Sequence, residues 1–157
     1  MTFSVQQGSC SCGANRFSVT QAPIAHFYCH CSICQAYNNK PYADVAVFLK
    51  SDVIEDNLQH TEFKRYRLPP NIQRGKCSQC HQPSLEKGML DQLVLMPVAN
   101  LQNPEQLQPA SAHVFYDYRV TDVYDNVPKY TGYLKSQGIL SYLIGKGLLQ
   151  HLRSTPQ

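Results

Sequence analysis

The chain has 157 residues, 43% of them hydrophobic, with 14 Lys and Arg against 11 Asp and Glu. That length suits one domain, and the apolar share is enough for a packed core rather than a disordered chain. The sequence has no run of basic residues to mark a nucleic-acid groove, no apolar stretch of the ~18 residues that would mark a membrane span, and no basic start or apolar core of a secretory signal in residues 1–6, so a cytoplasmic protein is expected.

Taken in chain order, the pattern predicts short strands separated by turns. Residues 2–6 read as a strand, Gly8-Ser9-Cys10-Ser11-Cys12-Gly13 as a turn, and residues 15–20 as the returning strand. A cysteine pair thus sits at a hairpin tip, where backbone amides can point at a metal-bound sulfur. Residues 25–29 read as a strand leading into Cys29-His30-Cys31-Ser32-Ile33-Cys34, followed by one helical turn over 32–37 with Ser32 as its cap. Residues 44–49, 60–67 and 72–76 read as further strands, the last delivering Cys77 and Cys80 to a second tight turn. Residues 91–98 and 111–120 are the strongest later strands. Residues 100–109, with Pro104 and Pro109, read as a loop with a helical turn near Glu105.

Residues 133–152 read as a helix, because Leu140, Ile144, Leu148 and Leu152 recur at a spacing of four. Gly138, Gly145 and Gly147 each weaken it by roughly 1 kcal/mol relative to Ala. Such a helix needs a surface to lie on. Its own sheet is the first reading; a second subunit, giving a homodimer, is the alternative.

The seven cysteines are the informative count. They fall at 10 and 12, at 29, 31 and 34, and at 77 and 80, with none solitary. An odd number leaves a thiol over from any closed disulfide set, and a reducing compartment disfavours disulfides. Core thiols used as small hydrophobes have no reason to cluster. Disulfides and accidental spacing remain the alternatives to metal binding. Thiolates select zinc, copper(I) or iron–sulfur. A structural zinc site takes four ligands, commonly as two short-spaced pairs from distant parts of the chain. Cys10 and Cys12 with Cys77 and Cys80 supply such a set, leaving Cys29, Cys31 and Cys34 as a trio with one coordination position open, the arrangement of a catalytic zinc. Seven thiolates and two zinc ions would bring the formal charge close to zero.

These three cysteine groups, in this order, resemble the glutathione-dependent formaldehyde-activating enzyme family, a pattern that centromere protein V-like proteins share. Leu90-Asp91, Ala112-His113-Val114-Phe115 and Tyr124-Asp125-Asn126-Val127-Pro128-Lys129-Tyr130 look like its later segments. The resemblance implies a mainly β, tent-like fold of short antiparallel strands stapled by zinc over residues 1–130, with residues 131–157 as a helical extension. It implies a structural zinc on Cys10, Cys12, Cys77 and Cys80 and a second, labile zinc on Cys29, Cys31 and Cys34. It also implies carbon–sulfur lyase chemistry on a small thiol substrate: glutathione joined to formaldehyde as S-hydroxymethylglutathione, or the reverse. The chain departs from the family pattern at Gln35-Ala36, where basic residues are frequent, at His81, where glycine is usual, and at Tyr124, where Trp is common.

Three thiolates leave a zinc ion with a local charge of −1, so it acidifies water less well than a histidine site would. A soft sulfur suits the vacant position better, and a coordinated thiol is deprotonated. Proton transfer to the hydroxymethyl oxygen needs an acid, for which His30, Tyr37 and His113 are the candidates in that order. In an extended segment His30 would face away from Cys29 and Cys31. His81 reads as a support for the closed site, and His26 and His60 as ordinary strand residues. Tyr116, Tyr118 and Tyr124 read as packing residues, with an aromatic pocket wall as the alternative. A non-catalytic, zinc-stabilised protein-binding module is the competing function.

Overall fold

Short alternating segments broken by Gly, Pro and Asn can pair only as short strands. The computed structural model, which describes residues 2–67 and 72–154, is built in that way. In chain order its strands are β1 (Gln6–Ser9), β2 (Arg16–Val19), β3 (Ala25–Cys29), β4 (Ala43–Leu49), β5 (Val53–Asn57), β6 (Thr61–Lys64), β7 (Ile72–Cys77), β8 (Pro83–Gly88), β9 (Leu93–Pro97) and β10 (His113–Val114). Helix α1 (Ser32–Asn38) lies between β3 and β4, and α2 (Tyr133–Ser154) closes the described chain. The protein is mainly β with antiparallel sheets and a C-terminal helix, as expected. Residues 155–157 of the anticipated helical extension lie outside the described residues. Among the described residues no helix is long and apolar enough to cross a membrane. The chain divides into two units, one of Met1–Ala22 and Val47–Leu107, the other of Pro23–Ala46 and Gln108–Gln157.

In the first unit β1, β2 and β5 form an antiparallel sheet, and β6 to β9 pair antiparallel in sequence order. Gly8 stands opposite the fully buried Phe17, whose ring would lie 2.3 Å from any Cβ added at Gly8. The first strand therefore runs through Gly8 and Ser9 rather than over residues 2–6. Two strands had no sequence signal. β8 reads as polar, yet it is buried on both faces. Its Glu86 pairs with Arg74 Nε at 3.1 Å, and its Ser84 hydroxyl accepts from Thr61 Oγ1 at 3.1 Å. β5 has little apolar alternation, and its Glu55 is held by Lys50 and Lys87.

In the second unit the strand order is β10-β3-β4, with β10 parallel to β3. The expected 111–120 strand shrinks to two residues. Phe115 takes the left-handed conformation (φ 53°) and turns the chain into a 3-10 turn at Tyr116–Tyr118. β10 is bonded on its other edge as well: His113 N–H donates to Pro128 O (2.8 Å), and Tyr130 N–H to His113 O (2.9 Å). Helix α2 packs against β3 and β10. Its buried Ser136 hydroxyl accepts from the Phe115 N–H at 2.8 Å, while Leu134, Leu149 and Leu152 face solvent.

The three helix glycines are not equivalent. A Cβ at Gly147 would lie 1.8 Å from Ile24 O, whereas one at Gly138 or Gly145 would meet nothing within 4 Å. Gly147→Ala should therefore destabilise the protein. Gly138→Ala and Gly145→Ala should each stabilise it by up to about 1 kcal/mol, and denaturant unfolding of the three variants checks the contrast.

Candidate metal centres

Two cysteine groups assemble among the described residues. In each, the sulfurs lie within 4.8 Å of one another. Sulfurs at the corners of a tetrahedron with Zn–S bonds of about 2.3 Å stand about 3.8 Å apart. The distances found are 3.7 Å for Cys10–Cys12 and Cys12–Cys77, and 3.5 Å for Cys29–Cys31. They are far beyond a disulfide bond of about 2.05 Å, and none of the seven cysteines is in a disulfide. The donor sets therefore fit tetrahedral thiolate coordination.

The quartet lies in the first unit. Cys10 and Cys12 occupy the β1–β2 turn, and Cys77 and Cys80 the turn after β7. Backbone amides point at the sulfurs: Asn15 N–H at Cys10 Sγ (3.4 Å) and Gln79 N–H at Cys77 Sγ (3.4 Å). The fully buried Asn15 side chain carries the support further, with Nδ2 3.8 Å from Cys10 Sγ and Oδ1 accepting from His60 N–H at 3.1 Å. No sequence signal marked Asn15. His81 adopts φ 58°, so the left-handed place where glycine is usual is filled by a residue with a Cβ, and its N–H closes the turn on Cys77 O at 2.9 Å. The thiols shift one another. Burial pushes Cys10 up, but the Asn15 amide and the neighbouring thiols outweigh it and bring it down to about 7. For Cys12 the Ala14 amide pulls down, yet desolvation and the three other thiols prevail and raise it to about 11. In Cys80 the upward push of burial is outweighed by the Gln82 amide and by neighbouring groups, so it falls.

The trio lies in the second unit. Cys29 ends β3, and Cys34 lies in α1. The α1 cap is Cys31, not Ser32: its sulfur accepts from Cys34 N–H at 3.4 Å, so a metal-ligand candidate takes the place where a hydroxyl was expected. Cys29 and Cys34 are buried and Cys31 is half-buried. Neighbouring thiols, then burial, push Cys29 and Cys34 well up.

The proposed acids fall in different places. His30 is fully buried, and its ring lies against His113, with His30 Nε2 2.8 Å from His113 Nδ1. His113 Nε2 is 2.9 Å from Asp125 Oδ2, and Asp125 Oδ1 is 2.6 Å from Lys129 Nζ. Burial, then neighbouring His113 and the positive charges of Arg119 and Lys129, hold His30 down at about 4, so it is neutral at neutral pH. Lys129 and then His113 hold Asp125 at about 2. Tyr37 is fully buried in the core. Of the three late tyrosines, Tyr116 is buried with its hydroxyl accepting from Val123 N–H at 2.8 Å, while Tyr118 and Tyr124 are exposed. His26 bridges Asp44 (2.6 Å) and Gln108 O (2.7 Å), a larger role than an ordinary strand residue has. At the departure from the family pattern, Gln35 Nε2 donates to His30 O (2.6 Å) and Tyr118 O (2.9 Å).

A mainly β chain with two clusters of thiols at tetrahedral spacing defines a protein with cysteine sites that can hold zinc. The chain belongs to the glutathione-dependent formaldehyde-activating enzyme family, whose sequence model matches residues 5–118. Among solved structures, the crystal structure of a Rhodobacter sphaeroides protein, a structural-genomics target, is similar with a TM-score of 0.51. It is 18% identical, and the match covers 79% of this chain and 99% of that one, a likeness that bears on the fold alone. Comparison with curated proteins gives no match.

Thiols raised by their neighbours keep their protons near neutral pH until a cation displaces them. Cobalt(II) affinity at both clusters should therefore fall by about tenfold or more per unit of acidification. Titrations at two pH values, read by thiolate-to-metal absorption, check this; pH-independent affinity would contradict it.

Proposed function

We propose that the protein is a zinc-dependent carbon–sulfur lyase-type enzyme acting on thiol adducts such as S-hydroxymethylglutathione. Cys10, Cys12, Cys77 and Cys80 hold a structural ion, and Cys29, Cys31 and Cys34 hold the reactive one. The observation that carries this reading is the difference between the two groups: one offers four sulfurs, the other three, with Cys31 half-buried. Family membership supports the formaldehyde and glutathione connection.

Bound at the trio, zinc would supply a soft Lewis acid that favours a substrate sulfur over water. The rest falls to the chain. Cys29 and Cys34 are buried, and Cys31 is the more exposed of the three sulfur donors. The N–H of Cys34 on Cys31 Sγ offsets charge on that sulfur. In the synthetic direction the substrate sulfur forms a bond to the formaldehyde carbon, and the carbonyl π pair becomes the hydroxyl that receives the thiol proton. The lyase direction reverses each change, and no oxidant or reductant is consumed.

A second reading is a zinc-stabilised binding module without catalysis. Gln35 favours it, because its amide is engaged with two backbone carbonyls where a base could have met a substrate carboxylate.

NMR of the metal-loaded protein with glutathione and formaldehyde tests the enzyme directly: it should exchange free and adduct forms faster than the uncatalysed mixture. Exchange at the background rate would remove this substrate pair. Cys77→Ser should unfold the first unit, since a structural site contributes folding free energy; an unchanged melting temperature would contradict that role. Cys31→Ser should keep the fold and weaken only the second ion, and global unfolding would mean the two roles are exchanged.

A further inference from the structure

Residue 30 sits between two of the trio's sulfurs and is held at three points. Its N–H donates to Val114 O (3.0 Å), its carbonyl accepts from Gln35 Nε2 (2.6 Å), and its ring meets His113. Side chains alternate along an extended segment, so Cys29 and Cys31 share one face and the His30 ring takes the other. Fixing that ring fixes the backbone carrying both sulfurs.

The ring is fixed with unusual thoroughness. The His30 and His113 centroids are 5.1 Å apart, Tyr42 lies 4.7 Å from His30 and Tyr28 4.7 Å from His113, and the edge of Tyr116 closes on His30 at 5.0 Å. His113 is fully buried. Asp125, at the far end, is itself anchored by Lys129 Nζ and by Val127 N–H (3.1 Å). Burying two imidazoles costs more than apolar packing unless their bonds are satisfied and ordered.

The order follows from Asp125. An ionised carboxylate only accepts, so His113 Nε2 carries a hydrogen, which leaves His113 Nδ1 as a lone pair. That lone pair requires the hydrogen of His30 to be on Nε2. The remaining nitrogen, His30 Nδ1, is a bare acceptor, and it is buried with no hydrogen-bond partner in the structure. The opposite order would set a lone pair of His113 against the carboxylate.

We infer that Asp125 and His113 are positioning residues for the Cys29–Cys31–Cys34 metal site: by selecting the tautomer and orientation of His30 they hold the Cys29 and Cys31 sulfurs one coordination edge apart. This rests on the trio being a metal site, as proposed above. Neither residue is counted among the ligands, so they act on the ion only through residue 30.

The test uses the full chain titrated with cobalt(II), with chelator competition giving an affinity for each equivalent and nitrogen-15 spectra giving the histidine tautomers. Asp125→Ala should weaken the second equivalent about 10–100-fold, leave the first unchanged, and turn His30 into a mixture of tautomers. Asp125→Asn, whose amide oxygen still accepts from His113, should recover most of the affinity and the single tautomer. A second equivalent bound equally by wild type and Asp125→Ala would overturn the inference while leaving the metal site intact. So would a wild-type His30 protonated at Nδ1, a measurement that needs no variant. Wild-type protein binding one equivalent only would overturn the reading of the trio itself, and this inference with it.

Discussion

Seven sulfurs gathered into two groups, those of each group within 4.8 Å of one another, form the constraint around which this protein is organised. Thiolates at that distance repel one another, and thiols at that distance have little reason to gather. A soft divalent cation removes the conflict, since it deprotonates the group and binds it. The raised thiols of Cys12, Cys29 and Cys34 record the conflict in its absence. The surroundings suit the same end: amides of Asn15, Gln79 and Cys34 face sulfur, and left-handed His81 closes a turn that glycine would close more easily.

The two groups solve this problem differently. The quartet joins turns 65 residues apart in sequence, and its second line of support is a single buried amide, Asn15. The trio is local, spanning the end of a strand and the start of a helix, so by itself it staples little. Its support lies behind it, in a line of aromatic and imidazole rings ending at a carboxylate beside Lys129. Under the proposed function the local trio takes the ion that meets the substrate, and the closed set across distant turns takes the one that stays.

The cysteine clusters were the most legible part of the sequence, because cysteine spacing is local and needs no tertiary information. β3, α2 and the helical turn near Glu105 were legible too, from alternation, from the four-residue repeat of leucines and from proline. What escaped was non-local. β8 hides as a polar stretch because its Glu86 is neutralised by Arg74 from a neighbouring strand. The strand expected over 111–120 fails at Phe115, whose left-handed turn no residue type announced. The first strand is displaced because Gly8, a turn signal in isolation, is needed where Phe17 leaves no room for a side chain. Asn15 and Asp125 acquire their roles only through partners brought up by the fold. Strand alternation sets His30 on the face away from the sulfurs, but its ring partner, His113, lies 83 residues further along the chain.

The division of the sulfurs is best tested by a metal count combined with X-ray absorption at the zinc edge on protein purified with its metal. The account predicts about two zinc ions per chain in all-sulfur and three-sulfur environments, with Zn–S distances of about 2.3 Å and a lighter atom completing the average shell. One zinc per chain, with Cys29, Cys31 and Cys34 oxidised or bonded to one another, would contradict it.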